Sequence, residues 1–204
     1  MRIVSGRWRR RNLVAPVGTT TRPMPDRVRE AVFETLGSRW GTLGKLPAVR
    51  VLDVFAGAGG VGLEALSRGA GWCGFVERDR RALKALRQNV HALLGDEADD
   101  LVQVLGADAF RDRAWQRSVR HAPVELVVID PPYADSRDAS AEGRVGRLLE
   151  ALGDGPLLAT EPVVVLRHEA RVDYDQCEYG RLHATDARRY GDMTVTYLTN
   201  AAPA

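Results

Sequence analysis

Cysteine and lysine are scarce in this chain: its 204 residues include two lysines and only two cysteines, Cys73 and Cys177. Two cysteines without a C-x-x-C spacing make neither a disulfide framework nor a zinc site, which favours a reducing cytoplasm. The four histidines are scattered, so we expect no bound metal. No apolar run is long enough to cross a bilayer, and the basic N-terminus lacks the apolar segment of a secretory signal. We therefore expect a cytoplasmic protein with no membrane attachment.

Charge is unevenly distributed along the chain. The first 25 residues contain six arginines and no acidic residue, and since the whole chain carries +2, the remainder carries −4. A mildly acidic body with a basic arm indicates local contact with a polyanion such as RNA, and a solvated tail is the alternative. Trp8 is either a stacking platform for a base or a packing residue of the arm. The residues expected to contact RNA are Arg7, Trp8, Arg9, Arg10, Arg11 and Arg22.

The composition, 45% hydrophobic and 27% charged, is typical of a globular domain with a normal core. We expect residues 1–24 to form a basic hairpin arm, with short strands at 2–6 and 11–14, and residues 25–204 to form one larger domain. A helix is expected from residue 26 to about residue 40, with Asp26 as its N-cap. Its buried face would carry Val28, Val32, Phe33 and Leu36.

Strands and helices alternate beyond that point. Strands are expected at 51–55, 72–76, 101–105, 126–129 and 162–167, with intervening helices at 61–68, 80–94, 109–119 and 142–152. Two more strands are expected at 174–179 and 194–199, without a helix between them. Repeated β–α units followed by a strand pair predict an α/β fold with an open, mostly parallel sheet closed by an antiparallel hairpin.

A glycine-rich loop, from Gly57 to Gly62, follows the first strand of this series. Small residues there let the backbone approach a ligand at the carboxyl end of the sheet. The loop fits the dinucleotide pattern G-x-G-x-x-G, so the glycines do not separate a nicotinamide cofactor from S-adenosylmethionine. Asp53 favours the second, because a carboxylate at the strand end repels a pyrophosphate but suits the cationic methionine portion.

Two further acids follow the next two strands. Glu77 can accept hydrogen bonds from both ribose hydroxyls of an adenosine, and the alternative is an exposed acid that caps a helix. Asp108 can accept from an adenine amino group, and it can also be the N-cap of the helix that follows. Both positions are compatible with an adenosine-containing cofactor.

Asp130-Pro131-Pro132-Tyr133 lies at the carboxyl end of the expected fourth strand. Two prolines make a stiff turn that donates no backbone hydrogen bonds. An exocyclic base amine is a poor nucleophile because its lone pair is delocalised. Acceptance of its hydrogens by the Asp130 carboxylate and the Pro131 carbonyl frees that lone pair for attack on a sulfonium methyl, and Tyr133 can stack on the base. The alternative is a proline turn with a surface aromatic.

The Asp-Pro-Pro-Tyr sequence resembles the motif of class I methyltransferases that modify exocyclic amines. More narrowly, several stretches are similar to the bacterial small-subunit (16S) ribosomal RNA guanine-N2 methyltransferase family, of the guanine-966 type. They are Arg-Ile-Val-Ser-Gly at 2–6, Thr-Arg-Pro at 21–23, Asp-Arg-Val-Arg-Glu-Ala at 26–31, Phe-Ala-Gly-Ala-Gly at 55–59 and Gly-Leu-Glu-Ala-Leu-Ser-Arg-Gly-Ala at 62–70. Gly60 stands where a bulkier residue is common in that family.

The resemblance implies a seven-stranded Rossmann-like methyltransferase fold and S-adenosylmethionine as methyl donor, with S-adenosylhomocysteine as product. It also implies a guanine of 16S ribosomal RNA in the small subunit as target, and we expect a monomer. The implied catalytic residues are Asp130, Pro131, Pro132 and Tyr133. The implied cofactor-binding residues are Asp53, Phe55, Ala56, Gly57, Gly59, Glu77, Arg78, Asp108, Ala109 and Asp130.

Three alternatives stay open from the residues. An adenine-N6 or cytosine-N4 methyltransferase shares the Asp-Pro-Pro-Tyr chemistry, although those that act on duplex DNA usually carry a separate target-reading domain. A nicotinamide-dependent oxidoreductase would use the glycine loop but gives no role to residues 130–133. An RNA-binding module with a vestigial site would tolerate replacement of Asp130.

Overall fold

The computed structural model describes residues 1–16, 18, 23–111, 114–175 and 177–200. The chain forms two compact units, Met1–Asp108 and Ala109–Ala204. In the described residues no helix is both long and apolar enough to span a membrane. Nor do these residues contain a cluster of three or more histidine, cysteine or acidic side chains that could hold a metal ion.

The first unit contains three strands and four α-helices among its described residues. The strands are β1 (Arg50–Val54), β2 (Trp72–Glu77) and β3 (Val102–Gly106). The helices are α1 (Asp26–Arg39), α2 (Gly60–Ser67), α3 (Arg80–Leu94) and α4 (Ala98–Leu101). The strands pair in parallel in the order β3-β2-β1. Val51 and Leu52 are fully buried, as expected for a strand covered on both faces.

The second unit contains the remaining strands, β4 (Val124–Ile129), β5 (Leu158–Glu169), β6 (Leu182–Tyr190) and β7 (Met193–Asn200). Its α-helices are α5 (Ala114–Arg117) and α6 (Arg144–Asp154). Strand β4 pairs in parallel with β5, and β5 pairs antiparallel with β7, which in turn pairs antiparallel with β6. The expected α/β class, with seven strands, mostly parallel pairing and a C-terminal antiparallel hairpin, is confirmed.

The strand expected at 174–179 is wrong. The described residues there lie in a loop, apart from a single antiparallel bridge between Tyr179 and Leu182. The side chains of Tyr174 and Tyr179 are buried, and their hydroxyls donate to backbone carbonyls, that of Tyr174 to Ser136 at 3.1 Å. Buried tyrosine hydroxyls need such partners, so the aromatic pattern reflects loop packing. The hairpin partner of β7 is instead β6, which is largely polar and, apart from Leu182, at least partly exposed.

Two other expectations change at helix ends. The helix expected over 109–119 is reduced to α5, so Asp108 is not the N-cap of a helix that begins beside it. Asp26 is not an N-cap either, because Pro25 occupies that position and Asp26 is the first helical residue. The Asp26 carboxylate instead accepts from Arg2 Nε at 3.0 Å and from Arg29 Nη2 at 2.8 Å.

The N-terminal segment folds back on itself and packs on α2. An isolated antiparallel bridge joins Arg2 to Asn12. The backbone N–H groups of Val4 and Ser5 donate to the carboxylate of Glu64 at 2.7 and 2.9 Å. The segment is therefore a hairpin-like turn tied to the helix, with a single bridge in place of the two strands expected.

Candidate functional site

The glycine loop has an unusual backbone. Phe55, Gly57 and Gly59 all have left-handed φ angles, of 65°, 56° and 85°. For a phenylalanine such a conformation costs free energy, and residues held in this way cluster at ligand sites. A Cβ added at Gly57 would meet no atom within 4 Å, whereas one added at Gly59 would lie 2.5 Å from Leu86 Cδ1. Gly59 is thus required for packing, and Gly57 borders open space.

Asp53 lies in β1 with only 1% of its surface exposed. Its Oδ2 accepts from the backbone N–H of Gly62 at 2.8 Å, in the first turn of α2. A carboxylate at that position satisfies a free N–H and interacts favourably with the helix dipole. Asp53 therefore fixes where the glycine loop enters the helix, a structural role that the sequence analysis missed. Its contact with the methionine portion of a cofactor stays a prediction.

Glu77 ties the end of β2 to the glycine loop. Its Oε2 accepts from Gly57 N–H, and its Oε1 accepts from the N–H groups of Arg78 and Asp79, each at 2.8 Å. These bonds hold the carboxylate in one orientation. Because each carboxylate oxygen has a second lone pair, Glu77 can still accept hydrogen bonds from the hydroxyl groups of a ligand.

Asp108 follows β3 and forms an ion pair with Arg78, Oδ2 to Nη1 at 2.8 Å. Two residues that the sequence analysis assigned to the cofactor are therefore in contact with each other. The structure thus groups Asp108 and Arg78 at the ends of β3 and β2, where Glu77 also lies. The open space at Gly57 and the oriented acceptor of Glu77 fit a ligand that carries ribose hydroxyls.

The Asp-Pro-Pro-Tyr turn begins directly after β4. Pro131 is buried, and Pro132 has φ and ψ of −54° and 138°, within the range that its ring allows. The Pro132 carbonyl accepts from Asp135 N–H at 2.9 Å, in a short 3₁₀ turn. No group among the described residues donates to the Pro131 carbonyl. Of the two proline carbonyls, that of Pro131 is the one with both lone pairs available.

Arg167, at the carboxyl end of β5, is a site residue that the sequence analysis did not identify. Its Nε donates to Asp130 Oδ1, and the two side chains are only 8% and 12% exposed. Its guanidinium carbon also lies 5.1 Å from the centroid of the Tyr133 ring. The parallel register aligns Ile129 with Leu166, so the chain brings Asp130 and Arg167 together one residue later. One arginine thus contacts two residues of the motif.

Burial alters the acid–base properties of the motif. It raises the pKa of Asp130 above its ordinary value, and the charge and hydrogen bond of Arg167 act in the opposite direction. Burial also raises the pKa of the Tyr133 hydroxyl. Tyr133 therefore stays protonated at neutral pH, which suits it to stacking on a base and not to accepting a proton.

The basic arm contains cations in two kinds of environment. Arg7 donates two hydrogen bonds to Glu97, at 2.8 and 2.7 Å, on the surface. Trp8 is buried, with the Arg7 guanidinium 5.3 Å from its ring centroid, which agrees with the packing alternative. Its contact with RNA stays a prediction. The arginines of the arm that are exposed, with no side-chain partner among the described residues, are Arg9, Arg10 and Arg11.

Arg22, the last residue expected to contact RNA, lies outside the described residues. Ala56 and Ala109 are both buried, so their side chains serve packing in the structure. Any contact that these two residues make with a cofactor stays a prediction.

The model of the family described as "Conserved hypothetical protein 95" matches residues 1–199. The chain belongs to this family. A relative from Bacillus subtilis (strain 168), named "Putative rRNA methyltransferase YlbH", is 33% identical to this chain over 192 residues, which are 94% of each protein. The Escherichia coli (strain K12) "Ribosomal RNA small subunit methyltransferase D" is 32% identical over 169 residues, which are 83% of this chain and 75% of that protein.

The family fold is also found in a solved structure described as "Putative methyltransferase yhhF from Escherichia coli". The two chains are 27% identical and superpose with a TM-score of 0.77. The match covers 100% of this chain and 99% of the E. coli chain. The chain therefore has the class I methyltransferase-like fold that the sequence predicted.

Proposed function

We propose that this protein is an S-adenosylmethionine-dependent methyltransferase that modifies ribosomal RNA at the exocyclic N2 amine of a guanine in the small-subunit RNA. The relatives from B. subtilis and E. coli are named as rRNA methyltransferases, and the E. coli name specifies the small subunit. The observation that carries the proposal is the Asp-Pro-Pro-Tyr turn, in which a buried carboxylate, a free carbonyl and a tyrosine follow one another. A reaction on ribosomal RNA would take place in the cytoplasm.

The first unit supplies the proposed cofactor site. S-Adenosylmethionine contributes an electrophilic methyl group on a sulfonium when it is bound. Glu77, whose carboxylate is already oriented by three backbone N–H groups, would accept from the ribose hydroxyls. Gly57 leaves room for the ligand beside the loop, and Asp108 would accept from the adenine amino group. Asp53 holds the loop in place and adds negative charge on the side of the cationic methionine portion.

The second unit supplies the proposed acceptors for the base. The Asp130 carboxylate and the Pro131 carbonyl would each accept one hydrogen of the N2 amine, which favours a pyramidal nitrogen with a free lone pair. Tyr133 would stack on the guanine and restrict its orientation, so that the amine is held for in-line attack. Because both prolines fix their φ angles, these acceptors need little reorganisation during the reaction.

Binding of the methyl donor and transfer of the methyl group to RNA are tested by separate experiments. Calorimetry with S-adenosylhomocysteine should show binding to the wild type and to Asp130→Asn. Small ribosomal subunits from a strain that lacks the gene should accept tritium from methyl-labelled S-adenosylmethionine with the wild type, and about a hundredfold more slowly or not at all with Asp130→Asn. Nuclease digestion and mass spectrometry should identify the product as N2-methylguanosine. If the product is N6-methyladenosine or N4-methylcytidine, the target base is adenine or cytosine and not guanine. Binding of NADH without any methyl transfer would exclude the proposed function.

A further inference from the structure

Arg167 stands out because it is a buried cation that contacts two residues of the proposed base site. Its Nε donates to Asp130 Oδ1, and its guanidinium lies over the Tyr133 ring. No group among the described residues donates to Asp130 Oδ2. The arginine therefore occupies one carboxylate oxygen and leaves the other for a ligand.

This arrangement restricts both side chains at once. A carboxylate on a single ion pair can rotate about its last torsion, but a guanidinium packed on an aromatic ring has a defined plane. The single hydrogen bond from Arg167 Nε therefore holds Oδ1 against a guanidinium of defined plane, and Oδ2 is left without a donor from the described residues. Strand pairing between β4 and β5 fixes the backbone distance between the partners. The orientation of Asp130 is consequently determined by the fold.

We propose that Arg167 is a positioning residue for methyl transfer, which pairs with one oxygen of Asp130, favours its ionised form and leaves its other oxygen for the amine of the target base. The inference rests on the proposed function. Arg167 is assigned no contact with base or cofactor and acts through Asp130 and Tyr133. Neither residue type nor spacing indicated this role, because Arg167 lies 37 positions from Asp130 in the chain.

The electrostatic part of the argument follows from burial. An isolated buried carboxylate takes up a proton more readily, and a neutral acid can no longer accept a hydrogen bond through both oxygens. Arg167 is the charged group of the second unit that opposes this effect at Asp130. Tyr133 faces the same pair, and Glu169 and Asp192 act on Tyr133 and raise its pKa further. Removal of Arg167 should therefore protonate Asp130 at a higher pH.

Two substitutions separate charge from shape. Arg167→Met keeps the length of the side chain but removes the charge, and Arg167→Lys keeps the charge but loses the planar fork. Arg171→Met is the matched control, because Arg171 follows β5 in the same unit and its side chain is 89% exposed. Transfer to small ribosomal subunits, prepared as above, is measured from pH 5 to pH 9 for each variant. Calorimetry with S-adenosylhomocysteine and thermal unfolding report on folding.

For Arg167→Met we expect the acid limb of the kcat profile to move upward by about one pH unit or more, because an adjacent opposite charge shifts a carboxyl pKa by that order. The rate at pH 7 should fall roughly tenfold or more, with partial recovery at high pH. Arg167→Lys should keep the acid limb near its wild-type position, and Arg171→Met should match the wild type. An equal loss at every pH, or a rate equal to that of Arg171→Met, would overturn the proposal.

A second measurement does not depend on activity. The Asp130 carboxyl is titrated by NMR in protein labelled with ¹³C-aspartate, and its signal is assigned by its absence in Asp130→Asn. The pKa of Asp130 should be higher in Arg167→Met than in the wild type, and an unchanged value would refute the role of Arg167. If wild-type protein transfers no methyl group to the subunits, the proposed function fails, while this titration still decides whether Arg167 controls Asp130.

Discussion

The buried carboxylate of Glu64 accepts a hydrogen bond from the backbone N–H of Val4 at 2.7 Å, and so joins α2 to the N-terminal segment. Two arginines share this carboxylate: Arg68 Nε lies at 2.7 Å and Arg29 Nε at 3.6 Å. All three charged side chains are almost fully buried. The stretches at 2–6, 26–31 and 62–70, which suggested a family from sequence, thus meet in one structural cluster.

Removal of the Glu64 carboxylate should be strongly destabilising. Glu64→Ala leaves two buried guanidinium groups without a full counter-charge and two backbone N–H groups without an acceptor. Loss of one partner of a buried pair typically costs about 3–5 kcal/mol of unfolding free energy. Urea unfolding followed by circular dichroism measures this loss. Glu34→Ala, at an exposed position of α1, is the control and should change stability by less than about 0.5 kcal/mol. Equal effects of the two substitutions would contradict the structural role of the cluster.

The open space at Gly57 should be a ligand space. Gly57→Ala adds a methyl group at a left-handed φ, which costs about 1–2 kcal/mol of stability, and it should also weaken S-adenosylhomocysteine binding at least tenfold. Gly95 is a matched control, because its φ of 53° is similar and a Cβ there also meets no atom within 4 Å. Gly95→Ala should cost similar stability and leave the affinity unchanged. Calorimetry with S-adenosylhomocysteine measures the affinity of both variants. An unaltered affinity of Gly57→Ala would show that the cofactor does not bind beside Gly57.

The rate of methyl transfer should decrease at acidic pH. Burial raises the pKa of Asp130, and the ionised carboxylate is the form that accepts the amine hydrogen. The rate should therefore be full above that pKa and fall roughly tenfold per pH unit below it. The acid limb of kcat should lie above the pKa of about 3.9 of an ordinary aspartate. Stopped-time tritium transfer on small ribosomal subunits, with S-adenosylhomocysteine affinity measured at each pH, gives the profile. A limb at the ordinary aspartate value would contradict the effect of burial.

Local patterns in the sequence predicted most of the fold, because a strand buried on both faces or an amphipathic helix is visible within a short window. The helix expected at 80–94 matches α3 at both ends, and Asp79 caps its first turn by accepting from the N–H groups of Arg81 and Ala82. The strand expected at 174–179 was wrong, since Tyr174 and Tyr179 are buried by contacts with a distant loop. Strand β6 was missed for the opposite reason: its side chains are mostly polar, and all but that of Leu182 are at least partly exposed.

The candidate site shows the same division between local and long-range information. Glycines and acids at strand ends could be identified one by one, because each follows an apolar strand. The contacts that orient them, Glu77 with Gly57 and Asp130 with Arg167, join residues that are 20 and 37 positions apart. These contacts are determined by which strands pair with each other, and a single sequence does not show the order of strands in the sheet.

The exposed arginines of the arm should bind RNA through its phosphates. Arg9, Arg10 and Arg11 have no side-chain partner among the described residues, so their replacement by glutamine removes three charges without breaking a contact. RNA affinity should fall, and the slope of log affinity against log salt should decrease by roughly two to three, since each phosphate contact releases about one counterion. Filter binding to small-subunit RNA at several salt concentrations measures both quantities.

The matched control for the arm replaces three exposed cations of α3, Arg80, Lys84 and Arg87, by glutamine. The change in net charge is identical, so a general electrostatic attraction would weaken binding equally in the two variants. If the arm is the contact surface, only the arm variant should lose affinity and salt slope, and both should bind S-adenosylhomocysteine like the wild type. Equal losses would assign the attraction to the overall charge of the protein, and an arm variant that binds RNA normally would leave the arm with the structural role seen at Glu64 alone.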